Sequence, residues 1–181
     1  MEVKINDQTI ELAEGDITRQ KVSAIVNAAN SQLAGGGGVD GAIHRKGGPT
    51  IMAETRVKYP RGCPTGSAVI SSAGNLPCNF VIHAVGPMWG GGNRGEAQLL
   101  AGAYRRSLEL AVEYDCESIA FPSLSTGAYR YPVDQAARVA LETVIDFLRE
   151  HGKPPLVRFV LFGRPAFGAF TAALEELTKS G

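Results

Sequence analysis

The chain has few of the residues from which metal centres, disulfide frameworks and membrane spans are built. It contains three cysteines and three histidines, none at metal-ligand spacing, so we do not expect a zinc site. The cysteines form no redox motif and fit reduced thiols in the cytoplasm. No run approaches the ~20 apolar residues that cross a bilayer, and Met1 to Lys4 lack the apolar core of a signal sequence. We therefore expect a cytoplasmic protein without a metal and without contact with membranes.

Net charge and the common hydrolase motifs are absent as well. The 18 Lys and Arg side chains balance the 18 Asp and Glu side chains, which gives no overall attraction to nucleic acid or anionic lipid. No Gly-x-Ser-x-Gly motif occurs, and no Gly-Lys-Ser/Thr follows a glycine loop. The sequence therefore excludes a P-loop and gives no support to covalent hydrolysis by serine or cysteine.

What remains has the composition of a globular protein and the pattern of an α/β fold. The chain is 44% hydrophobic and 20% charged, and its length fits one domain over residues 1–181. Alternating residues on both sides of Asn6-Asp7 predict a hairpin, and strands then alternate with helices of crossover length. We therefore expect a largely parallel sheet with helices on both faces and an antiparallel part at the hairpin. Further strands are predicted over residues 24–26, 67–71, 80–85, 119–121 and 156–162, and helices over residues 40–44, 49–59, 96–114, 132–151 and 166–178.

The most informative segment links two asparagines to four consecutive glycines. Asn27-Ala28-Ala29-Asn30 leads into Gly35–Gly38, which Asp40 and His44 follow at helical spacing. A glycine-rich start of a helix offers backbone N–H groups to an anion such as a diphosphate. Asp40 is poorly placed to bind a phosphate, so its presence is better explained by a hydrogen bond to a sugar hydroxyl or to a water. The alternative is a flexible surface loop.

Two other segments each allow two interpretations. Ser125-Thr126-Gly127-Ala128-Tyr129 fits a turn that caps the next helix, or a second phosphate cradle in which the tyrosine stacks on a sugar. Asp16 fits a helix N-cap, or a carboxylate that accepts the exocyclic amine of a base. The glycine loop and the Ser125–Tyr129 loop should lie beyond the carboxyl ends of strands, where ligands bind in such sheets.

Together these segments resemble the macrodomain family, in particular its MacroD-type class. The resemblance covers nearly the whole chain, and its motifs occur in the family's order. It implies a three-layer α/β/α sandwich around a mixed, mostly parallel sheet, with ADP-ribose as the ligand. The matching segments are Gly15–Thr18, Asn27–Asn30, Gly35–His44, His83–Pro87 and Ser125–Pro132.

The resemblance also implies roles for individual residues. Asp16 would accept the adenine amine beside the Ile17 N–H, Asn30 would hold the distal ribose, and Asp40 would orient or activate a water. Tyr129 would pack on that ribose, and Phe162 or Phe167 would stack on adenine. The loops around the diphosphate would comprise Gly37, Gly38, Val39, Ser125, Thr126, Gly127 and Ala128. The chain departs from the family pattern at Arg45-Lys46-Gly47-Gly48 and at Gly163-Arg164-Pro165.

The activity that the resemblance implies is hydrolysis by a positioned water, without metal, cofactor or covalent intermediate. The substrates would be proteins mono-ADP-ribosylated on acidic side chains, and O-acetyl-ADP-ribose. The alternatives are a non-catalytic reader of ADP-ribose and a phosphatase of ADP-ribose 1″-phosphate. Nucleic acid is expected as a partner only through ADP-ribosylated ends. No exposed apolar helix stands out in the sequence, which favours a monomer.

Overall fold

The computed structural model describes residues 1–179 and contains one seven-stranded sheet between two layers of helices. The strands are β1 (Glu2–Ile5), β2 (Gln8–Glu14), β3 (Ala24–Ala28), β4 (Ser67–Ser72), β5 (Phe80–Val85), β6 (Ser118–Phe121) and β7 (Leu156–Leu161). The helices are α1 (Gly38–Gly47), α2 (Thr50–Lys58), α3 (Glu96–Glu113), α4 (Val133–His151) and α5 (Arg164–Thr178), with a 3₁₀ turn over Ile17–Arg19. No helix within residues 1–179 is long and apolar enough to cross a membrane.

The sheet is mixed and mostly parallel. Its strand order is β1-β2-β7-β6-β3-β5-β4. The five central strands run parallel, whereas β1 and β4 pair antiparallel with their neighbours at the two edges. The hairpin around Asn6-Asp7 supplies the first of these edges, as predicted, and Asn6 adopts a positive φ of 55° there.

Alternation along the strands divides the core between the two faces of the sheet. Val26 of β3 packs with the buried side chains of α3, α4 and α5. Its neighbour Ile25 packs on the other face with Ile43 of α1 and Ile51 of α2. Because successive strand residues point to opposite faces, one short run serves both cores. The predicted three-layer α/β/α sandwich is confirmed.

Several helix boundaries differ from the prediction. Helix α1 begins at Gly38 and continues to Gly47, three residues beyond the predicted end. It stops there because Gly48 takes a φ of 84° and returns its N–H to the His44 carbonyl. Helix α5 begins at Arg164 with Pro165 in its first turn, where the missing proline N–H is not needed.

The topology gathers four loops at one edge of the sheet. Strands β2, β3, β6 and β7 run parallel, so their carboxyl ends meet at this edge. The loops that follow them start at Gly15, Ala29, Pro122 and Phe162. The candidate site is built from these loops and from the first turn of α1.

Candidate functional site

A cleft of about 750 Å³ opens between these loops. The structure brings together in it every site residue that the resemblance assigned, apart from Phe167, which lies in α5 and packs against the core. Ala42, Arg45 and Gly86 also line the cleft, although sequence reasoning gave them no role as ligand contacts. The assigned residues in the lining are Asp16, Ile17, Asn30, Gly37, Gly38, Val39, Asp40, Ser125, Thr126, Gly127, Ala128, Tyr129 and Phe162.

The glycine loop ends at the N-terminus of α1, with Gly37 as the N-cap residue and no side chain capping the helix. Gly38 adopts a φ of 58°, which favours glycine. Gly41 is required for a different reason, since a Cβ there would lie 2.7 Å from the Gly36 carbonyl oxygen. The first N–H groups of α1 lack partners inside the helix and carry its positive dipole end. This wall of the cleft therefore suits an anion.

The second loop follows β6 and folds into a tight turn. Ser125 has a φ of 69°, and its carbonyl accepts the Tyr131 N–H at 2.9 Å. The segment therefore forms a turn, as one interpretation predicted, but the N-cap residue of α4 is Pro132 and makes no side-chain cap, so the capping role is wrong. The Ser125 hydroxyl is buried, and it has no hydrogen-bond partner within residues 1–179. Its oxygen faces Gly86, where an added Cβ would meet it, so glycine at that residue leaves room for the hydroxyl.

Asp16 caps the 3₁₀ turn at another part of the rim. Its Oδ1 accepts the Thr18 N–H at 2.9 Å and the Thr18 hydroxyl at 2.6 Å. The hydroxyl bond is the main reason why the pKa of Asp16 is lowered. Its Oδ2 lies 3.5 Å from Lys46 Nζ and 3.8 Å from Arg19 Nε, and the carboxylate is partly exposed. The N-cap interpretation is therefore correct, and the adenine contact stays a prediction.

Asn30 shapes the loop in which it lies. Its Nδ2 donates to the Gly35 carbonyl at 2.9 Å, and its Oδ1 accepts the Ala34 N–H at 3.0 Å. One N–H of the amide and one lone pair of its oxygen remain for a ligand. The predicted contact with a ribose is compatible with this geometry, but the loop-bracing role could not be inferred from the sequence.

Asp40 lies at the bottom of the cleft in the first turn of α1, with 5% of its surface exposed. Its Oδ1 accepts a hydrogen bond from Asn27 Nδ2 at 2.8 Å and lies 3.2 Å from His44 Nε2. Its Oδ2 lies beside Gly36, where an added Cβ would be 3.5 Å away. Within residues 1–179 the side-chain bonds to this carboxylate fall on Oδ1, which leaves Oδ2 for a water or a ligand.

A buried chain of hydrogen bonds continues from Asp40 across the sheet. Asn27 Nδ2 lies 3.2 Å from His83 Nδ1, and His83 Nε2 lies 2.9 Å from Ser71 Oγ. The Ser71 hydroxyl donates to the Ser72 carbonyl. Every donor is satisfied when Asn27 donates to both neighbours and neutral His83 donates from Nε2. Burial lowers the pKa of His83 to about 4, with a further contribution from His44, so the imidazole is neutral at pH 7.

Sequence reasoning placed His83 in the core and did not connect it to Asp40. The location is correct, since His83 is 1% exposed, but the side chain is part of the support of the site. A polar residue inside the apolar run Phe80–Val85 was the available clue. Asn27 was part of a recognised motif, yet its contact with Asp40 joins residues of β3 and α1 that only the fold brings together.

The departures from the family pattern affect the cleft unequally. Arg45 lines it, and Lys46 contacts Asp16, so both basic side chains lie at the rim, and their effect on the pocket stays a prediction. The second departure, Gly163-Arg164-Pro165, lies outside the lining of the cleft. Among residues 1–179, no three His, Cys, Asp or Glu side chains form a group able to hold a metal ion.

Comparison with known proteins gives a consistent result. The family model described as "Macro domain" matches residues 26–140. A macro domain-containing protein of Caldanaerobacter subterraneus is 56% identical over 174 residues, covering 95% of this chain and 99% of that protein. A Citrobacter koseri protein named O-acetyl-ADP-ribose deacetylase is 54% identical over 176 residues, covering 95% of this chain and 97% of that protein. The Oceanobacillus iheyensis macrodomain with ADP has a TM-score of 0.94 and 43% identity, covering 100% of this chain and 97% of that one. The chain belongs to the macro domain family.

Proposed function

We propose that the cleft binds ADP-ribose and hydrolyses the bond between its distal ribose and an acyl group. The observation that carries the proposal is the buried Asp40 carboxylate, which Asn27 holds through Oδ1 while Oδ2 stays free beside the glycine loop. The substrates would be mono-ADP-ribosyl esters of acidic side chains in proteins, and O-acetyl-ADP-ribose.

The shape of the cleft supports an extended dinucleotide-like ligand. Asp16 and Phe162 line the part of the cleft that would hold the adenine. Phe162 is 92% exposed, so its ring is free to stack on a base. The diphosphate would lie between the N-terminus of α1 and the turn at Ser125. The distal ribose would then reach Asn30 and Asp40. The proposal is also supported by the Oceanobacillus macrodomain, which was solved with ADP, and by the Citrobacter relative, which is named a deacetylase.

The chemistry follows from one free carboxylate oxygen. A water bound to Asp40 Oδ2 would be held next to the ester or anomeric carbon, and Asp40 would accept its proton as the water attacks. Holding the water in place converts a bimolecular step into a nearly unimolecular one. General-base assistance would contribute a further factor of about 10²–10⁴. Attack at the ester carbon breaks its bond to the ribose oxygen, which takes the proton back from Asp40 and leaves as the ribose hydroxyl. Attack at the anomeric carbon instead displaces the carboxylate, and Asp40 returns its proton to solvent.

The test compares wild type with Asp40→Ala and Asp40→Asn on two substrates. These are a protein carrying glutamate-linked mono-ADP-ribose and O-acetyl-ADP-ribose, and ADP-ribose affinity is measured by calorimetry on each variant. The matched control is Asp146→Ala, because Asp146 is exposed on α4, on the opposite face of the sheet from Asp40. We expect the wild type and the Asp146→Ala control to hydrolyse both substrates at similar rates, and both Asp40 variants to be at least about 100-fold slower.

The outcomes separate the alternatives. Tight binding of ADP-ribose with no release from either substrate would make the protein a reader. Phosphate release from ADP-ribose 1″-phosphate, without ester hydrolysis, would make it a phosphatase. Full turnover by Asp40→Ala with ADP-ribose still bound would remove Asp40 from the chemistry.

A further inference from the structure

A second cavity of about 350 Å³ adjoins the cleft. It shares Gly86 and Tyr129 with the cleft, and Ser31, the residue after Asn30, forms part of its wall. Asp16, Ile17 and Phe162 line the cleft but not this cavity. The cavity therefore continues from the end of the cleft where Asn30 lies, beyond the place that the proposed function gives to the distal ribose.

The walls of this second cavity, here called the acceptor groove, combine apolar and polar side chains. Met88 and Leu99 line it and are 68% and 36% exposed, which is unusual for large apolar side chains in this protein. Ser31 and Thr65 add hydroxyl groups, and Arg94 adds a positive charge. A surface of this kind suits a polypeptide segment, which offers backbone polar groups together with side chains of mixed character.

Arg94 carries the exposed charge of the groove. Glu96 also lines it, but its carboxylate accepts the N–H groups of Gly92 at 2.9 Å, Gly90 at 2.8 Å and Arg94 at 2.6 Å. The bond from Gly92 and those from its neighbours lower the pKa of Glu96 to about 2, and the side chain is 2% exposed. The Arg94 guanidinium has no carboxylate within 4 Å among residues 1–179, and its arm packs over Gly90. Its charge is available to a ligand.

The loop over residues 86–95, which carries Met88 and Arg94, is held in place before any ligand binds. Glu96 ties down its second half, as described above. In its first half, the Trp89 N–H donates to the Tyr129 carbonyl at 2.8 Å, and the Trp89 ring packs on Tyr131 with centroids 4.7 Å apart. Binding in the groove would therefore cost little ordering of the loop.

We propose that the acceptor groove binds the polypeptide segment next to the ADP-ribosylated side chain and favours acidic residues in that segment. The inference rests on the proposed function, because it places the modified residue at the Asn30 end of the cleft. A carboxylate flanking the modified residue pairs with Arg94, and apolar groups of the segment lie on Met88 and Leu99. The groove contributes binding and positioning only, and no bond is made or broken in it.

The experiment uses two synthetic peptides with the same glutamate-linked mono-ADP-ribose. One has aspartates on both sides of the modified residue, and the other has lysines. O-acetyl-ADP-ribose serves as the substrate without an acceptor segment. Each is tested with wild type, Arg94→Lys, Arg94→Gln and Arg94→Glu. The matched control is Arg56→Glu, which makes the same charge change at an exposed residue of α2 outside both cavities.

We expect kcat/KM for the acidic peptide to fall about fivefold in Arg94→Gln, as for loss of one exposed ion pair, and by roughly tenfold or more in Arg94→Glu. Arg94→Lys should retain most of the wild-type value, and Arg94→Glu should prefer the lysine-flanked peptide. High salt should remove these differences, because the Debye length is about 3 Å at 1 M. Turnover of O-acetyl-ADP-ribose and the affinity for free ADP-ribose should not change in any variant.

Two results would overturn the proposal while leaving the proposed function intact. One is equal kcat/KM of wild type and Arg94→Glu on the acidic peptide. The other is an equal loss on O-acetyl-ADP-ribose, which would show that Arg94 acts on the cleft or on folding. Failure of wild type to cleave any substrate would refute the hydrolase instead. The affinities of the intact ADP-ribosyl peptides then decide the groove: a loss in Arg94→Glu limited to the acidic peptide supports it, and unchanged affinities overturn it.

Discussion

Neutral His83 should make the stability of the protein depend on pH, and the dependence can be isolated by one substitution. The imidazole is buried between Asn27 and Ser71, with the His44 ring 6.3 Å away. Protonation would place a new N–H on Nδ1, facing the Nδ2 hydrogens of Asn27. Burial and His44 oppose the charged form, while Asp40 favours it, and the pKa falls from 6.5 to about 4.

The sign follows from which state binds the proton. Between pH 6.5 and pH 4 the unfolded chain protonates this histidine and the native protein does not, so the free energy of unfolding falls as the pH is lowered. The contribution of His83 is fully present above pH 6.5. From the pKa values of 6.5 and about 4, it decreases by about 2 kcal/mol between pH 7 and pH 5. The contribution of Glu96 to stability, with a pKa of about 2, is lost only at lower pH.

The assay is urea unfolding followed by circular dichroism at pH 7, 6 and 5, on wild type and His83→Gln. Glutamine keeps a donor and an acceptor at the position and does not titrate in this range. We expect the variant to lose about 2 kcal/mol less than wild type over this range, whatever its stability at pH 7. The control is His151→Gln, at an exposed residue near the end of α4, which should keep the wild-type dependence. An equal decrease in His83→Gln and wild type would refute the reasoning.

Three further substitutions test other parts of the structure. Gly41→Ala places a Cβ 2.7 Å from the Gly36 carbonyl oxygen and should displace the glycine loop. We expect the Kd for ADP-ribose, measured by calorimetry, to rise at least ~10-fold. A rise below twofold would contradict this. Phe162→Ala removes an exposed ring, so the urea midpoint should stay constant while the Kd for ADP-ribose rises by a factor that reflects ~1–3 kcal/mol of base stacking. Tyr104→Phe leaves the Leu124 N–H, now 3.0 Å from the tyrosine oxygen, without an acceptor; urea unfolding should show a loss of about 1–3 kcal/mol, and an unchanged midpoint would disprove it.

The sequence was sufficient for the parts of the fold that depend on local patterns. The hairpin at Asn6-Asp7, the alternation of strands with helices and the glycine-rich entry to α1 each follow from short segments. The sheet order does not, because β2 pairs with β7 although residues 15–155 lie between them in the sequence. The extension of α1 to Gly47 also depended on the φ that Gly48 adopts.

The site divides in the same way. Many of the cleft-lining residues were assigned from motifs, because they belong to contiguous segments with a recognisable composition, whereas Ala42, Arg45 and Gly86 received no role as ligand contacts. The clamp by Glu96 was not found, since a carboxylate in the first turn of α3 could equally serve the helix dipole alone. Its three bonds to the preceding loop depend on how that loop folds back. The bonds of His83 to Asn27 and Ser71 were missed for another reason, since these three residues lie on different strands.

The alternation along neighbouring strands explains why Asp40 is supported from the sheet. Asn27 and His83 are register partners in β3 and β5, two residues beyond the partners Ile25 and Val81. Ile25 and Val81 pack beneath α1 and α2, so the polar pair points to the same face. The face is therefore apolar in the middle of the sheet and polar at the carboxyl edge, directly under Asp40. A shift of one residue in β3 would turn Asn27 to the other face and leave Asp40 without this donor, and the same shift in β5 would turn His83 away from Asn27. The packing that fixes the strand register consequently also fixes the position of the carboxylate.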